Sequence, residues 1–198
     1  LNREGMAAVS TDFLPRIKST HDITRLALQS AQHFDKVDDA DAAWRLYELA
    51  AFYLPRNDPH KQEFIDSMSH RFDCAYTDQG FTRHKIPYGG GELTAMRWQA
   101  DSMDRKTVDA NSPRTLIMMN GFDGYAEGII DFASHFPTRP FDIISFDGPG
   151  QGHTVLAGMP LEPQWERPTN AVMDYFGIQS AAALGVSFGG YLVTRAAA

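Results

Sequence analysis

A serine stands between two glycines in Leu184-Gly185-Val186-Ser187-Phe188-Gly189-Gly190-Tyr191, at the G-x-S-x-G spacing. The apolar run Ala181 to Val186 before it reads as a buried strand, and Tyr191 to Ala198 after it reads as a helix. That context suits a nucleophile elbow, a sharp strand-to-helix turn that presents the serine hydroxyl. Gly185 and Gly189 fit the same reading, because side chains there would crowd the neighbouring strand and helix. A serine hydroxyl attacks a carbonyl only when a base takes its proton and preorganised donors hold the resulting oxyanion. One donor is expected to be the backbone N–H of Phe188, the residue after the nucleophile. The other is expected from the loop after an earlier strand, Met119-Asn120-Gly121-Phe122-Asp123-Gly124, where Gly121 lets the chain turn and Phe122 offers its N–H.

The base is harder to find. For a serine on such an elbow, the acid and then the histidine follow in chain order, yet no acid and no histidine follows Ser187 in this sequence. The histidines His21, His33, His60, His70, His84, His135 and His153 all precede it and are read as surface or packing residues. Of these, His153 lies closest to the expected cleft and could contact substrate. It ends a second glycine-rich loop, Asp147-Gly148-Pro149-Gly150-Gln151-Gly152-His153. That loop has some likeness to a dinucleotide fingerprint. Pro149 inside it, with Pro160 and Pro163 beyond, is expected to deny it the helix N-terminus that a pyrophosphate needs. The loop is therefore expected to wall the cleft, and no cofactor is expected.

The elements that must carry these loops fall into two parts. From the start to about Tyr76 the pattern is helical. Ser19 or Thr20 can cap a first helix bearing Ile23, Leu26 and Ala27. A second follows Asp38 and Asp39 with Trp44, Tyr47, Leu49, Ala50 and Tyr53, ending at Pro55. A third follows Asp58-Pro59 with Phe64, Ile65, Met68 and Phe72. From Phe81 the period changes to alternation. Phe81 to Pro87 and Glu92 to Trp98 predict a hairpin across Tyr88-Gly89-Gly90-Gly91, which is no phosphate loop because no Lys-Ser or Lys-Thr follows. Thr115 to Asn120 and Phe141 to Phe146 read as strands covered on both faces, with helices around Glu127 to Phe136 and Glu162 to Phe176. Strands alternating with helices imply an α/β fold, with a mainly parallel sheet over 77–198 preceded by a helical region over 1–76.

Composition narrows the class of protein. With 43% hydrophobic and 22% charged residues the 198-residue chain can bury a core. A formal net charge of −7 argues against a nucleic-acid or anionic-membrane partner. The lone cysteine, Cys74, rules out an intrachain disulfide and makes a thiolate metal site implausible; it is expected to be a small buried hydrophobe. No apolar stretch approaches a membrane span and no leader opens the chain, so a cytoplasmic protein is expected. Because the first residue is Leu1 and the last, Ala196 to Ala198, stop inside a helical pattern, a fragment of a longer polypeptide is expected.

The elbow, the Asn-Gly-Phe-Asp-Gly loop and the Asp-Gly-Pro-Gly-Gln-Gly loop, in that order, resemble the α/β-hydrolase superfamily. The likeness is nearest to the branch with an N-terminal helical region, which includes dihydroxypseudo-oxynicotine hydrolase, the fermentation-respiration switch proteins and fungal hydrolases that shorten polyketide pigment precursors. Ala51-Phe52-Tyr53-Leu54-Pro55-Arg56-Asn57-Asp58-Pro59, Ile86-Pro87-Tyr88-Gly89-Gly90-Gly91-Glu92-Leu93, and Gly158-Met159-Pro160-Leu161 with Trp165 extend it over nearly the whole chain. The resemblance implies helices that help form a cap and a core in which Ser187 attacks an activated carbonyl. The substrate would be a small-molecule ketone cleaved at a carbon–carbon bond, an ester or an amide. It also places the triad acid and histidine beyond Ala198, so this chain alone is expected to be inactive, and it allows a homodimer of the complete protein. At His153 the sequence departs from the family, where a glutamate is common. A peptidase or esterase of the same fold, and a noncatalytic binding module that keeps the pocket, are the competing readings.

Overall fold

The computed structural model describes residues 13–107, 109 and 113–198, which divide between Gln79 and Gly80 into two compact units. The described residues of the first hold three α-helices, α1 (Thr20–Lys36), α2 (Ala40–Phe52) and α3 (Lys61–Ala75). Ser19 and Asp39 start the first two by accepting the backbone N–H groups of Asp22 and Ala42, which would otherwise be unpaired in the first turn. α2 packs on both α1 and α3. Its buried face is Ala43, Trp44, Leu46, Tyr47 and Ala50, so Leu46 takes the place expected for Leu49, and Tyr53 lies beyond the helix end and is exposed. Trp44 meets Phe72 edge-on at 5.2 Å, and Phe64, Ile65 and Met68 complete the core as expected. Asp35 of α1 accepts from Arg71 of α3 at 2.9 Å and from Tyr47 of α2 at 2.9 Å, joining the three helices. Cys74 is exposed, contrary to the expectation of a buried residue, because the inward face of α3 is already filled by Phe64, Met68 and Phe72.

The second unit holds a five-stranded sheet in the order β1-β2-β4-β3-β5: β1 (Phe81–Tyr88), β2 (Gly91–Trp98), β3 (Thr115–Met119), β4 (Asp142–Asp147) and β5 (Ala182–Gly185). β4, β3 and β5 run parallel, whereas β1 pairs antiparallel with β2 and β2 with β4. The sheet is therefore mixed, because the hairpin joins the parallel strands at one side. Gly89 and Gly90, at φ 57° and 82°, form a two-residue hairpin turn that a side chain would strain, and the strands run right up to it. The helices of this unit are α4 (Ala126–Ser134), α5 (Gly152–Leu156), α6 (Glu166–Phe176) and α7 (Gly189–Ala196). Every residue of β4 is buried, as a strand covered on both faces requires.

α6 begins four residues later than the sequence pattern predicts and ends at Gly177, whose left-handed backbone returns its N–H to Asp174 and Met173. Just before it, Trp165 is fully buried, stacked on Phe146, with its indole N–H directed at the Met119 sulfur at 3.2 Å. α5 also corrects the sequence reading. The loop after β4 does lead into a helix, because Pro149 precedes it and Pro160 and Pro163 come after it has ended, so none of the three interrupts its single turn. No helix among the described residues is long and apolar enough to cross a membrane.

Candidate active site

The three segments singled out in the sequence leave the carboxyl ends of the three parallel strands, the end of an open α/β sheet where ligands bind. After β5 the chain makes one more sheet bond, from the Val186 N–H to the Met119 carbonyl at 3.0 Å, and then reverses. Gly189 and Gly190 donate to Val186 and Ser187 at 2.9 and 3.0 Å, and α7 begins. Ser187 sits at this turn with φ 55°, one of two non-glycine residues with positive φ among those described. A non-glycine residue in that region carries about 1–3 kcal/mol of strain that the surrounding structure must impose. A Cβ on Gly185 would overlap the Gly189 carbonyl, and one on Gly189 would overlap the Met119 carbonyl and come within 2.8 Å of the Asn120 oxygen. These glycines let α7 fold tightly over the ends of β5 and β3.

Ser187 is exposed, and the loop after β3 lies against it: the Cβ position of Gly121 is 3.2 Å from the Ser187 Cβ and 3.5 Å from its Oγ. Asn120 closes this loop on itself, with Oδ1 accepting the Gly121 N–H and Nδ2 donating to the Tyr125 carbonyl, both at 2.7 Å. The rings of Phe122 and Phe188 meet edge-on at 5.7 Å across the serine turn. Among the described residues, no hydrogen bond from the Phe122 or Phe188 N–H is found.

No histidine is brought to Ser187 among the described residues. His84 lies against Tyr175 and Phe176, and His135 bonds the Asp131 carbonyl of its own helix. His153 is not the open cleft residue the sequence suggested. Its Nε2 is 2.9 Å from Glu127 Oε1, Arg83 donates to the same oxygen at 2.7 Å, and the His153 N–H donates to Asp147 Oδ2 at 3.0 Å. Burial works to raise the Glu127 carboxyl, but the charges of His153 and Arg83 overcome it and hold the group far below its usual range. Burial alone would depress His153, yet its partner Glu127 raises it. Asp147 has no guanidinium of its own, and burial with Glu127 nearby pushes it up to about 6. Glu127, Asp147 and His153 present ligand-type atoms within 4.8 Å of one another, but Glu127 Oε1 already serves two donors, so Arg83 holds the place a cation would contest.

Sequence reasoning did not foresee this charge cluster. Glu127 reads simply as a helix start, although its place one turn before Ile130 on the apolar face of α4 marks it as buried. Nor did it foresee Gln151, which is 1% exposed and whose amide reaches back to the loop after β3, donating to the carbonyls of Asn120 and Gly121 at 3.1 and 2.9 Å.

A strand-to-helix serine with a left-handed backbone thus stands flanked by glycines and faced by a glycine loop at the carboxyl end of the parallel strands. Comparison with known proteins gives the chain its family and fold. The chain is 31% identical over 183 residues to the hydrolase LUC6 of a Fusarium species, a match covering 81% of this chain and 43% of that protein. It is 32% identical over 168 residues to the 20-hydroxy-prefusarin hydrolase FUS2 of Gibberella moniliformis, covering 78% of this chain and 39% of the relative. Among solved structures, AbyA5 superposes with a TM-score of 0.76 at 21% identity, over 98% of this chain and 55% of that one. The 2,6-dihydroxy-pseudo-oxynicotine hydrolase gives 0.63 at 18%, over 100% and 58%. No protein-family model matches. The chain belongs to the α/β-hydrolase superfamily. It spans less than half the length of these curated relatives.

Proposed function

We propose that this chain carries the nucleophile and the oxyanion donors of a serine hydrolase acting on a small-molecule ketone, ester or amide. The observation that carries the reading is the left-handed backbone of Ser187, φ 55°, with its side chain exposed beside Gly121. Such strain is retained where the surrounding structure imposes it, and at a strand-to-helix turn its effect is to present the hydroxyl. In this reading a base removes the Ser187 proton as Oγ bonds to the substrate carbonyl carbon. The carbonyl electron pair moves onto oxygen, where the Phe122 and Phe188 N–H groups receive it. Collapse expels an alkoxide, an amine or a ketone-stabilised carbanion, which takes the proton back from the base, and water then releases the acyl group from Ser187. The base and its acid come from outside the described residues, in the additional length that the relatives have. FUS2, named for a 20-hydroxy-prefusarin substrate, supports a small molecule as the substrate class.

The test is made on the full-length protein bearing this chain. A fluorophosphonate should label Ser187, located by peptide mass, and Ser187→Ala should abolish both labelling and turnover of p-nitrophenyl acetate. Turnover retained in Ser187→Ala would make Ser187 a turn residue only.

A further inference from the structure

We propose that Gln151 is a positioning residue for the oxyanion-binding peptide, acting on the Phe122 N–H through the carbonyl of Gly121. The inference rests on the reading of Ser187 as nucleophile. The Gln151 main-chain carbonyl accepts the Thr154 N–H at 3.0 Å in the first turn of α5, while the side-chain Nε2 donates to the Asn120 and Gly121 carbonyls at 3.1 and 2.9 Å. Thr154 fixes the Gln151 backbone in turn: its Oγ1 accepts the Gln151 N–H at 3.2 Å, and its one hydroxyl hydrogen is shared between the carbonyls of Gly148 and Gln151 at 2.6 and 2.7 Å. The loop after β4 is thereby tied to the loop after β3 by one buried side chain.

The consequence follows from peptide geometry. In a trans peptide the C=O of one residue and the N–H of the next point to opposite sides of the unit. The Gly121 carbonyl is held on the Gln151 side, so the Phe122 N–H is directed to the side Gln151 does not occupy. Gly121 itself is packed against Ser187, 3.5 Å from Oγ at its Cβ position, so that peptide borders the reacting hydroxyl. Glycine at 121 could otherwise rotate this peptide freely, since it lacks the Cβ that restricts backbone angles. Asn120 secures the Gly121 N–H, which belongs to the preceding peptide, and leaves the orientation of the Gly121–Phe122 unit to Gln151. A donor that must already point at the developing charge gains its effect from being fixed in advance.

The experiment compares wild type, Gln151→Met and Gln151→Asn in the full-length protein. Methionine keeps the volume without a donor, and asparagine keeps the amide on a stem too short to reach the loop. Active sites are counted by fluorophosphonate labelling of Ser187 carried to completion, and kcat and KM are measured per labelled site with p-nitrophenyl acetate. The labelling rate is read separately, since the phosphonyl oxygen must enter the same donors. Loss of one oxyanion donor costs about 10²–10³ in kcat, so a donor left present but mobile should cost about 10- to 100-fold, with KM held within about 2-fold. The labelling rate should fall in parallel. A purely structural glutamine would lower the melting temperature and leave kcat per site unchanged, and that result, or failure of both variants to fold, overturns the inference. Wild-type protein that is not labelled at Ser187 would instead remove the reading on which the inference stands.

Discussion

Replacing Ser187 by glycine should make the protein more stable while removing its chemistry. The residue is held at φ 55°, where an L-residue other than glycine loses about 1–2 kcal/mol against its right-handed alternative. Glycine removes that strain, and its larger freedom in the unfolded chain takes back about 0.4–1 kcal/mol. The serine side chain is exposed, so little burial is lost. The net gain lies between about 0 and 1.6 kcal/mol, centred on about 0.8, and each kcal/mol raises Tm by about 2–4 °C in a domain of 150–250 residues. Ser187→Ala keeps a Cβ in the same backbone conformation and should stay within about 0.5 kcal/mol of wild type. Both variants should lose turnover by about 10⁴-fold or more, as expected when a triad nucleophile is removed. Thermal melts and p-nitrophenyl acetate kinetics on the full-length wild type and both variants measure this. A glycine variant less stable than the alanine variant would show that the backbone at 187 carries no strain, and the inference from strain to catalysis would lose its premise.

Gly189→Ala should destabilise by about 3 kcal/mol or more, because the new methyl group has only the backbone of β3 to displace; a urea midpoint unchanged from wild type would contradict the packing described. Glu127→Gln leaves Arg83 and His153 without their shared counter-charge and should cost about 3–5 kcal/mol. Because the Glu127 pKa is depressed, its contribution is present above 4.5 and lost as pH falls; because the His153 pKa is raised, its contribution is present below 6.5 and lost as pH rises through the folded value. The difference between wild type and Glu127→Gln in urea melts should therefore be greatest between those two values, and a difference independent of pH would refute the pairing. Asp147 has the opposite sign for a carboxyl: raised to about 6, it loses stability as pH climbs from 3.8 to that value, and Asp147→Asn should flatten this part of the Tm profile. A profile of the same slope in the variant would show that Asp147 ionises freely.

The sequence by itself determined the strand-to-helix turn at Ser187, the helical first unit and the strand order of appearance, since each rests on local pattern. Gly185, Ser187 and Gly189 are legible because one tight turn dictates all three, and Phe64, Ile65, Met68 and Phe72 because helical period places them on one face. Local pattern also marked both glycine loops, but it misjudged the second: the distance of Pro160 from Gly152 leaves room for a single helical turn that proline rules alone did not foresee. Only the tertiary structure decided that the hairpin joins β4, because strand pairing is set by contacts distant in sequence. The same is true of the charge cluster, where Arg83, Glu127, Asp147 and His153 come from four different elements and their pKa shifts exist only once burial brings them together. Gln151 shows the difference most plainly. In the sequence it is one polar residue in a glycine loop; in the fold it is buried, thirty residues from the carbonyl it holds. A long-range hydrogen bond has no period to betray it, and a peptide's orientation is fixed by what its carbonyl meets in space.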